Sequence, residues 1–286
     1  MTPVRVTRLD ATQAEAVADL MATEEIRSGR RPLDEARRQA LTAGAPGEHW
    51  LLVEDGMLRG FADVVDSVAE LSAADTQAAT LLVRTLRDSG ARTLWAHGDR
   101  SQARRAATAV GLPVARELVL LARTLPLEGA VRPLPDGVTV RSFDTVGDRD
   151  PWLQLNHLAF ADLPDQGGWT RDDLDLRLRA DWFDADDFLV AVDGDGRLVG
   201  FHWTKIDPAA VADGQVSGEV FVLAVAPSER GTGLAGALLD LGLRHLADRG
   251  LRQVHLYVDA DNVRAVALYE RAGFHRVDGD REYRLT

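Results

Sequence analysis

Three features in the last third of the sequence could do chemistry together: Glu219 at the head of an apolar run, glycines at 231, 233 and 236 just after it, and Tyr269 seven residues beyond Asn262. The run Val220–Val225 is apolar or small throughout and reads as a strand. Pro227 stops it, because proline has no N–H to donate to a ladder. Leu234, Leu238, Leu241 and Leu246 then follow at helical spacing. Strand, glycine-rich turn and helix start make an anion cradle, in which the first N–H groups of the helix point at negative charge. The expected occupant is a pyrophosphate. No lysine follows the glycines as it does in a nucleoside-triphosphate loop. Gly231-Thr-Gly-Leu-Ala-Gly236 does fit a dinucleotide fingerprint. Against that reading, the unit comes late in the chain, and the next strand ends in Asp259-Ala-Asp-Asn262, which opens another helix. A glycine turn with no ligand is the plain alternative.

Period-two spacing puts Glu219, Phe221, Leu223 and Val225 on one face of the strand. A carboxylate there could take a proton from an amine, and an α-amine, with a pKa of about 8, gives it up readily. Burial would raise the carboxyl's own pKa toward that task. The competing reading of Glu219 is a solvated charge at a strand start. Asp261-Asn262 open a helix that Gly273 can end as its C′ residue, and seven residues is close to two turns, so Asn262 and Tyr269 share a face. Tyr269 is either a proton donor to a leaving group or a core tyrosine. On the strand before Glu219, Lys205 alternates with Trp203, and a surface lysine is the ordinary reading of it. His202 has no second histidine at ligand spacing, so no metal is expected.

The elements that must position these residues belong to a repeat. Phe188–Phe201 and Trp50–Phe61 both read strand, turn, strand; Gly250–Tyr257 corresponds to Gly90–His97; Ala272-Gly-Phe274 corresponds to Val110-Gly-Leu112. The predicted fold is α/β (α+β): two tandem modules, 1–128 and 138–286, each a mixed, mostly antiparallel sheet flanked by helices. The linker 126–137, with three prolines and two glycines, separates them. The first module is predicted to open with strand Val4–Leu9, a helix over Thr12–Glu25 and a second helix reaching Leu41. It has Glu70-Leu-Ser-Ala-Ala-Asp-Thr-Gln77 where the second has its glycines, and Ala107 falls opposite Tyr269. It is expected to have kept the fold without the chemistry and to wall one side of the acceptor site. In the second module a helix is predicted around Asp150–Phe160. Asp162–Thr170, with an exposed tryptophan at 169, is either a binding loop or a plain turn. Thr170 then caps a helix through Leu174, Leu178 and Trp182.

Composition sets the outer limits. A net charge of −12 argues against nucleic acid or an anionic membrane as partner, since both require a basic face. Zero cysteines exclude a thiolate nucleophile and zinc–sulfur sites. No apolar stretch is long enough to span a bilayer and no signal-peptide core is visible, so a cytoplasmic enzyme is expected, a monomer with an internal pseudo-dimer.

Arg230-Gly-Thr-Gly-Leu-Ala235 after Val222-Leu-Ala-Val-Ala-Pro227 resembles motif A of the GCN5-related N-acetyltransferases, the GNAT superfamily. Asn262-Val-Arg-Ala-Val-Ala-Leu-Tyr269-Glu-Arg-Ala-Gly273-Phe274 is similar to a second pattern of that superfamily. The resemblance implies acetyl-CoA as donor. Main-chain groups of Leu223, Ala224 and Val225 would pair with the pantetheine arm, and Arg230, Gly231, Thr232, Gly233, Leu234, Ala235 and Gly236 would hold the pyrophosphate. Asn262, Val263, Arg264, Ala265, Val266 and Ala267 would touch the cofactor, and Tyr269 would protonate the departing thiolate. Further phrases, among them Pro164-Asp-Gln-Gly-Gly-Trp-Thr170, Gly200-Phe-His-Trp-Thr-Lys205 and Leu256-Tyr-Val-Asp-Ala-Asp-Asn262, resemble the mycothiol synthases. That likeness implies acetylation of the cysteinyl amine of 1D-myo-inositol 2-(L-cysteinylamino)-2-deoxy-α-D-glucopyranoside, with Asp165, Lys205, Glu219 and Tyr257 on this small-molecule acceptor. The missing glycines of the first module depart from the pattern and argue against a second cofactor there. Two other readings stand: a tandem acetyltransferase for another amine, such as an aminoglycoside or a protein N-terminus, and a non-catalytic acyl-CoA-binding regulator.

Overall fold

A computed structural model describes residues 2–206 and 217–286, and of 164 and 165 the main chain only. In the first part of the chain β1 (Val4–Val6) leads to α1 (Ala11–Ser28), α2 (Glu35–Thr42), β2 (Glu48–Glu54), β3 (Met57–Val65), β4 (Val68–Ala73), α3 (Thr76–Asp88), β5 (Thr93–Ala96), α4 (Gln102–Ala109) and β6 (Val114–Thr124). Then follow β7 (Thr139–Ser142), α5 (Arg149–Ala159), the short α6 (Pro164–Gly167), α7 (Arg171–Leu178), β8 (Phe188–Val192), β9 (Leu198–Lys205), β10 (Ser217–Val225), α8 (Leu234–Asp248), β11 (Gln253–Asp259), α9 (Val263–Arg271) and β12 (His275–Arg284). By contact density the chain forms two units, one of residues 1–120, 257–263 and 276–286, the other of 121–256 and 264–275.

In the first unit the strands run β1-β2-β3-β4-β5-β12-β6. β4 and β5 are parallel, while β2, β3, β4 and the β5–β12 pair are joined antiparallel. In the second they run β11-β10-β9-β8-β7, with β10 and β11 parallel and the rest antiparallel. One parallel pair flanking one long helix, inside an otherwise antiparallel sheet, therefore occurs in each unit. A helix between two strands is what a parallel pair requires as its crossover.

Each long helix has an apolar face that explains it. Ala78, Ala79, Leu82, Val83 and Leu86 of α3 are buried against Leu52, Leu71 and Leu94 of the sheet. Leu234 and Leu238 of α8 close on Leu223 and Val225 of β10 and on Leu134 and Val138. The opposite face of the second sheet is aromatic. Phe188 stacks on Trp203 with ring centroids 4.2 Å apart and on Phe143 at 4.3 Å, and Trp152 of α5 meets Phe188, Phe201 and Trp203 edge-on.

Three expectations need correction. The Thr170-capped helix stops at Leu178 instead of reaching Trp182, because N–H groups of Ala180 and Phe183 close tight three-residue turns onto Arg177 and Ala180. Trp182 thus leaves helical register and meets Phe221 at 5.2 Å. Trp169 is not exposed: it is buried between Trp152, Trp203 and Phe221, with the Arg177 guanidinium 3.7 Å above its ring. The segment before α7 is therefore anchored in the core at that point. The first helix also runs longer than predicted, from Asp10, whose carboxylate forms a capping box with Gln13, to Gly29 in the left-handed region.

The last strand is held in the first unit by charge as well as by its ladder. His97, just after β5, has Nδ1 3.2 Å from Asp280 of β12 and Nε2 3.1 Å from Glu70 of β4. Asp280 also accepts from the Gly98 N–H at 2.9 Å and from Arg30 at 3.2 Å. Although burial opposes its charge, these two carboxylates hold the imidazole protonated, with its pKa raised to about 9. The stabilisation is therefore complete below the ordinary histidine value of about 6.5 and is lost as pH rises through 9. The melting temperature should fall between pH 7 and pH 10 more steeply in the wild type than in His97→Gln; parallel curves would contradict a charged His97.

Candidate active site

β10 is where the sheet opens. It pairs with β11 only from Ser217↔Gln253 to Glu219↔His255, although β10 continues to Val225. On its other edge it stays paired with β9 as far as Val225↔Gly200. Among the described residues no strand pairs with Leu223–Val225 on the β11 side, an arrangement that an added strand could use. The register with β9 slips between Val220 (opposite Thr204) and Val222 (opposite Trp203), so Phe221 is a bulge residue. This overturns the simple alternation. Glu219, Phe221, Val222 and Ala224 share the face of Trp203, while Leu223 and Val225 turn to α8. The bulge places Glu219 on the aromatic side and still leaves the strand end packed under the cradle helix.

The cradle itself is open. Gly231 and Gly233 have φ of +89° and +94°, the left-handed region, and nothing lies within 4 Å of a side chain added at either. Gly233 is the N-cap of α8 and gives it no side-chain cap. Thr232 Oγ1 accepts from the Leu234 N–H at a long 3.4 Å, and among the described residues no side chain accepts from Ala235 or Gly236. Four N–H groups begin every helix without an internal partner, and an uncapped start is a place for an anion. Unpaired strand edge, side-chain-free turn and bare helix start follow one another along the chain and fit the pantetheine and diphosphate of acetyl-CoA. Arg230 lies just outside the turn, its Nη2 donating to the Ala159 carbonyl at 3.3 Å.

Beside this edge the structure brings together Glu219 and Lys205, directly opposite in the β9–β10 register, with Nζ and Oε2 4.0 Å apart. Lys205 is no plain surface lysine: Nζ lies 4.9 Å from the Trp182 ring and 5.8 Å from Phe221. Burial pushes the Glu219 carboxyl above its ordinary value and Lys205 partly offsets this, which moves the group toward the range of a general base. Tyr269 lies in α9, buried, with its ring edge-on to Phe274. Gly273 (φ +82°) donates to Glu270 and Phe274 donates to the Tyr269 carbonyl at 3.0 Å, a Schellman ending that fixes the tyrosine one turn from the helix end. Burial raises the phenol, so Tyr269 keeps its proton at neutral pH. Asn262 immediately precedes α9, and Val263–Ala267 form its first turns. Tyr257 lies on the C-terminal part of β11, which belongs to the first unit, with Arg30 5.4 Å from its ring centroid. The side chain of Asp165 lies outside the described residues.

The corresponding place in the first unit is filled by the chain itself. β4 and β5 are also parallel over three residues only, Val68–Glu70 with Thr93–Trp95. Beyond them the Glu24 carboxylate of α1 accepts from the Ala73 N–H at 2.9 Å, from Ser72 Oγ at 2.7 Å and from the Gln102 N–H at 2.9 Å. Arg27 donates to the carbonyls of Ala73 and Ala74. The start of α3 is capped by the Asp75 carboxylate at 2.8 Å from the Ala78 N–H, so that donor is already taken. The same chain ending recurs: Leu112 donates to Ala107 and Gly111 to Thr108, so Ala107 holds the place Tyr269 holds in the second unit. From the sequence Glu24, Glu25 and Arg27 are only candidates to reach the acceptor site, with none singled out, because nothing in the spacing of Glu24 signals that it satisfies a strand 48 residues away.

The fold and the cradle define an acetyl-CoA-dependent N-acetyltransferase, and comparison with known proteins agrees. The acetyltransferase (GNAT) family profile matches residues 152–274. A GCN5-related N-acetyltransferase from Sphaerobacter thermophilus superposes with a TM-score of 0.71 at 24% identity over 99% of this chain and 95% of that one. A tandem GNAT protein from the clavulanic acid biosynthesis pathway superposes at 0.66 and 18% identity over 99% of each. A mycothiol acetyltransferase from Actinosynnema mirum is 42% identical over 97% of both chains. The chain belongs to the mycothiol acetyltransferase family.

Glu219 accepts a proton only as the carboxylate, so kcat/KM should rise with pH through its pKa. Lys205→Met removes the cation that lowers that pKa and should move the acidic limb to higher pH, while Glu219→Gln should abolish the limb. A limb left in place in both variants would contradict the assignment.

Proposed function

We propose that this chain completes mycothiol, transferring acetyl to the cysteinyl amine of 1D-myo-inositol 2-(L-cysteinylamino)-2-deoxy-α-D-glucopyranoside. The observation that supports this most is the Glu219–Lys205 pair, 4.0 Å apart on the aromatic face beside an open cofactor edge, in a chain 42% identical to a mycothiol acetyltransferase. When bound, acetyl-CoA supplies an activated thioester carbonyl. Main-chain groups of Leu223–Val225 orient it, and N–H groups of Gly231–Gly236 with Arg230 hold its diphosphate, aided by Asn262–Ala267 at the start of α9. Glu219 takes the proton of the acceptor amine at its carboxylate, directly or through one water. Tyr269 holds a proton at Oη for the departing sulfur. Asp165, Lys205 and Tyr257 give the hydroxyl-rich acceptor the polar partners that its burial requires.

In this reading 1–128 and 138–286 are the duplicated modules, and catalysis resides in the second. Glu24, Arg27 and Asp75 occupy in the first the places that a donor would need, so a single acetyl-CoA binds per chain. Both reactants are small and polar, which suits a monomer acting in the cytoplasm.

Coenzyme A release with the cysteinyl pseudodisaccharide should exceed that with aminoglycosides or peptide N-termini, and preference for the latter would overturn the substrate assignment. Tyr269→Phe should lower kcat by about a hundredfold with little change in acetyl-CoA affinity. Equal losses in both would remove Tyr269 from the proton-donor role.

A further inference from the structure

The linker between the modules carries Arg132, a residue that neither motif includes. Its main-chain N–H donates to Asp240 Oδ2 at 3.0 Å, its Nε to the same oxygen at 2.7 Å, and its Nη2 to Oδ1 at 2.7 Å. This two-pronged grip on a buried carboxylate fixes the plane of the guanidinium against α8. The third nitrogen, Nη1, makes no hydrogen bond among the described residues. It lies against Gly236, where an added Cβ would collide with it. Side chains on a helix lean toward its N-terminus, so an atom in the Cβ position of Gly236, the third residue of α8, lies along its first turn. Gly236 thus differs from Gly231 and Gly233: its backbone is helical, and what it provides is room for the arginine. The Arg132 side chain keeps 42% of its surface exposed.

We infer that Arg132 is a phosphate-binding residue of the acetyl-CoA site, its Nη1 meeting a coenzyme A phosphate at the start of α8 while Asp240 holds the guanidinium in place. The inference rests on the acetyl-CoA reading and adds a residue to it. A bare helix start offers partial charge from N–H groups; Arg132 adds a full positive charge and a directed donor in a chain that is otherwise strongly acidic.

The test is calorimetric titration of coenzyme A and of 3′-dephospho-coenzyme A into the wild type, Arg132→Gln, and the double variant Arg132→Gln/Asp240→Asn. The double variant removes the buried carboxylate that the single one would leave unpaired. Both variants should bind coenzyme A about tenfold more weakly at low salt, and the deficit should shrink as ionic strength rises. A deficit absent with the dephospho form assigns the contact to the 3′-phosphate; a deficit that persists assigns it to the diphosphate. Wild-type affinity in a folded double variant would overturn the inference, as would a deficit independent of salt, which marks a merely structural role. A wild type that fails to bind coenzyme A would overturn the acetyl-CoA reading and this assignment with it.

Discussion

Three residues of parallel pairing hold β10 to β11, and the rest of the site follows from where that pairing ends. A strand edge inside a protein carries N–H and C=O groups that must find partners. β10 is tied to β9 from Glu219 to Val225, so it cannot close the gap by shifting toward β11. The bulge at Phe221 adds the local bend, and because it inserts one residue it also divides the strand's side chains between the two faces. Glu219 then faces the aromatic layer, whereas Leu223 and Val225 anchor α8 directly below the groups that a donor would meet.

The two halves of the chain resolve the same constraint differently. In the first, the open edge is satisfied internally: Glu24 accepts from Ala73, Arg27 covers two carbonyls and Asp75 caps the helix. In the second, among the described residues no side chain accepts from the N–H groups of Ala235 or Gly236, and these stay available. Buried polar groups are costly unless paired, and in the first unit the chain supplies those partners from its own side chains. Glu24 and Asp75 together supply acceptors much as a carbonyl and a phosphate would.

Much of this was legible in the amino-acid sequence. The cradle, the order of strand, turn and helix, the repeat and the helix carrying Tyr269 are local patterns, each set by residues within a few positions. The matching Schellman endings at Gly111 and Gly273 bear out the alignment of Ala107 with Tyr269. What was not legible depends on distant partners. Alternation along β10 cannot reveal a bulge, which is fixed by its register with β9. Trp169 reads as a loop tryptophan until Trp152 and Trp203 enclose it, and Lys205 reads as a surface charge until Trp182 leaves its helix to lie beneath it. Glu24 and Arg132 act across 49 and 108 residues of sequence, so neither has a local signature.

The central claim is that acetyl-CoA takes up the unpaired edge of β10 and the bare start of α8, and that the first unit has no such place. Amide hydrogen exchange with and without coenzyme A measures this directly, because a ligand-bound N–H exchanges more slowly. The account predicts new protection at Leu223–Val225 and Gly233–Gly236, with Ser72–Ala78 unchanged. Protection at Ser72–Ala78 with none at Leu223–Val225 would contradict it.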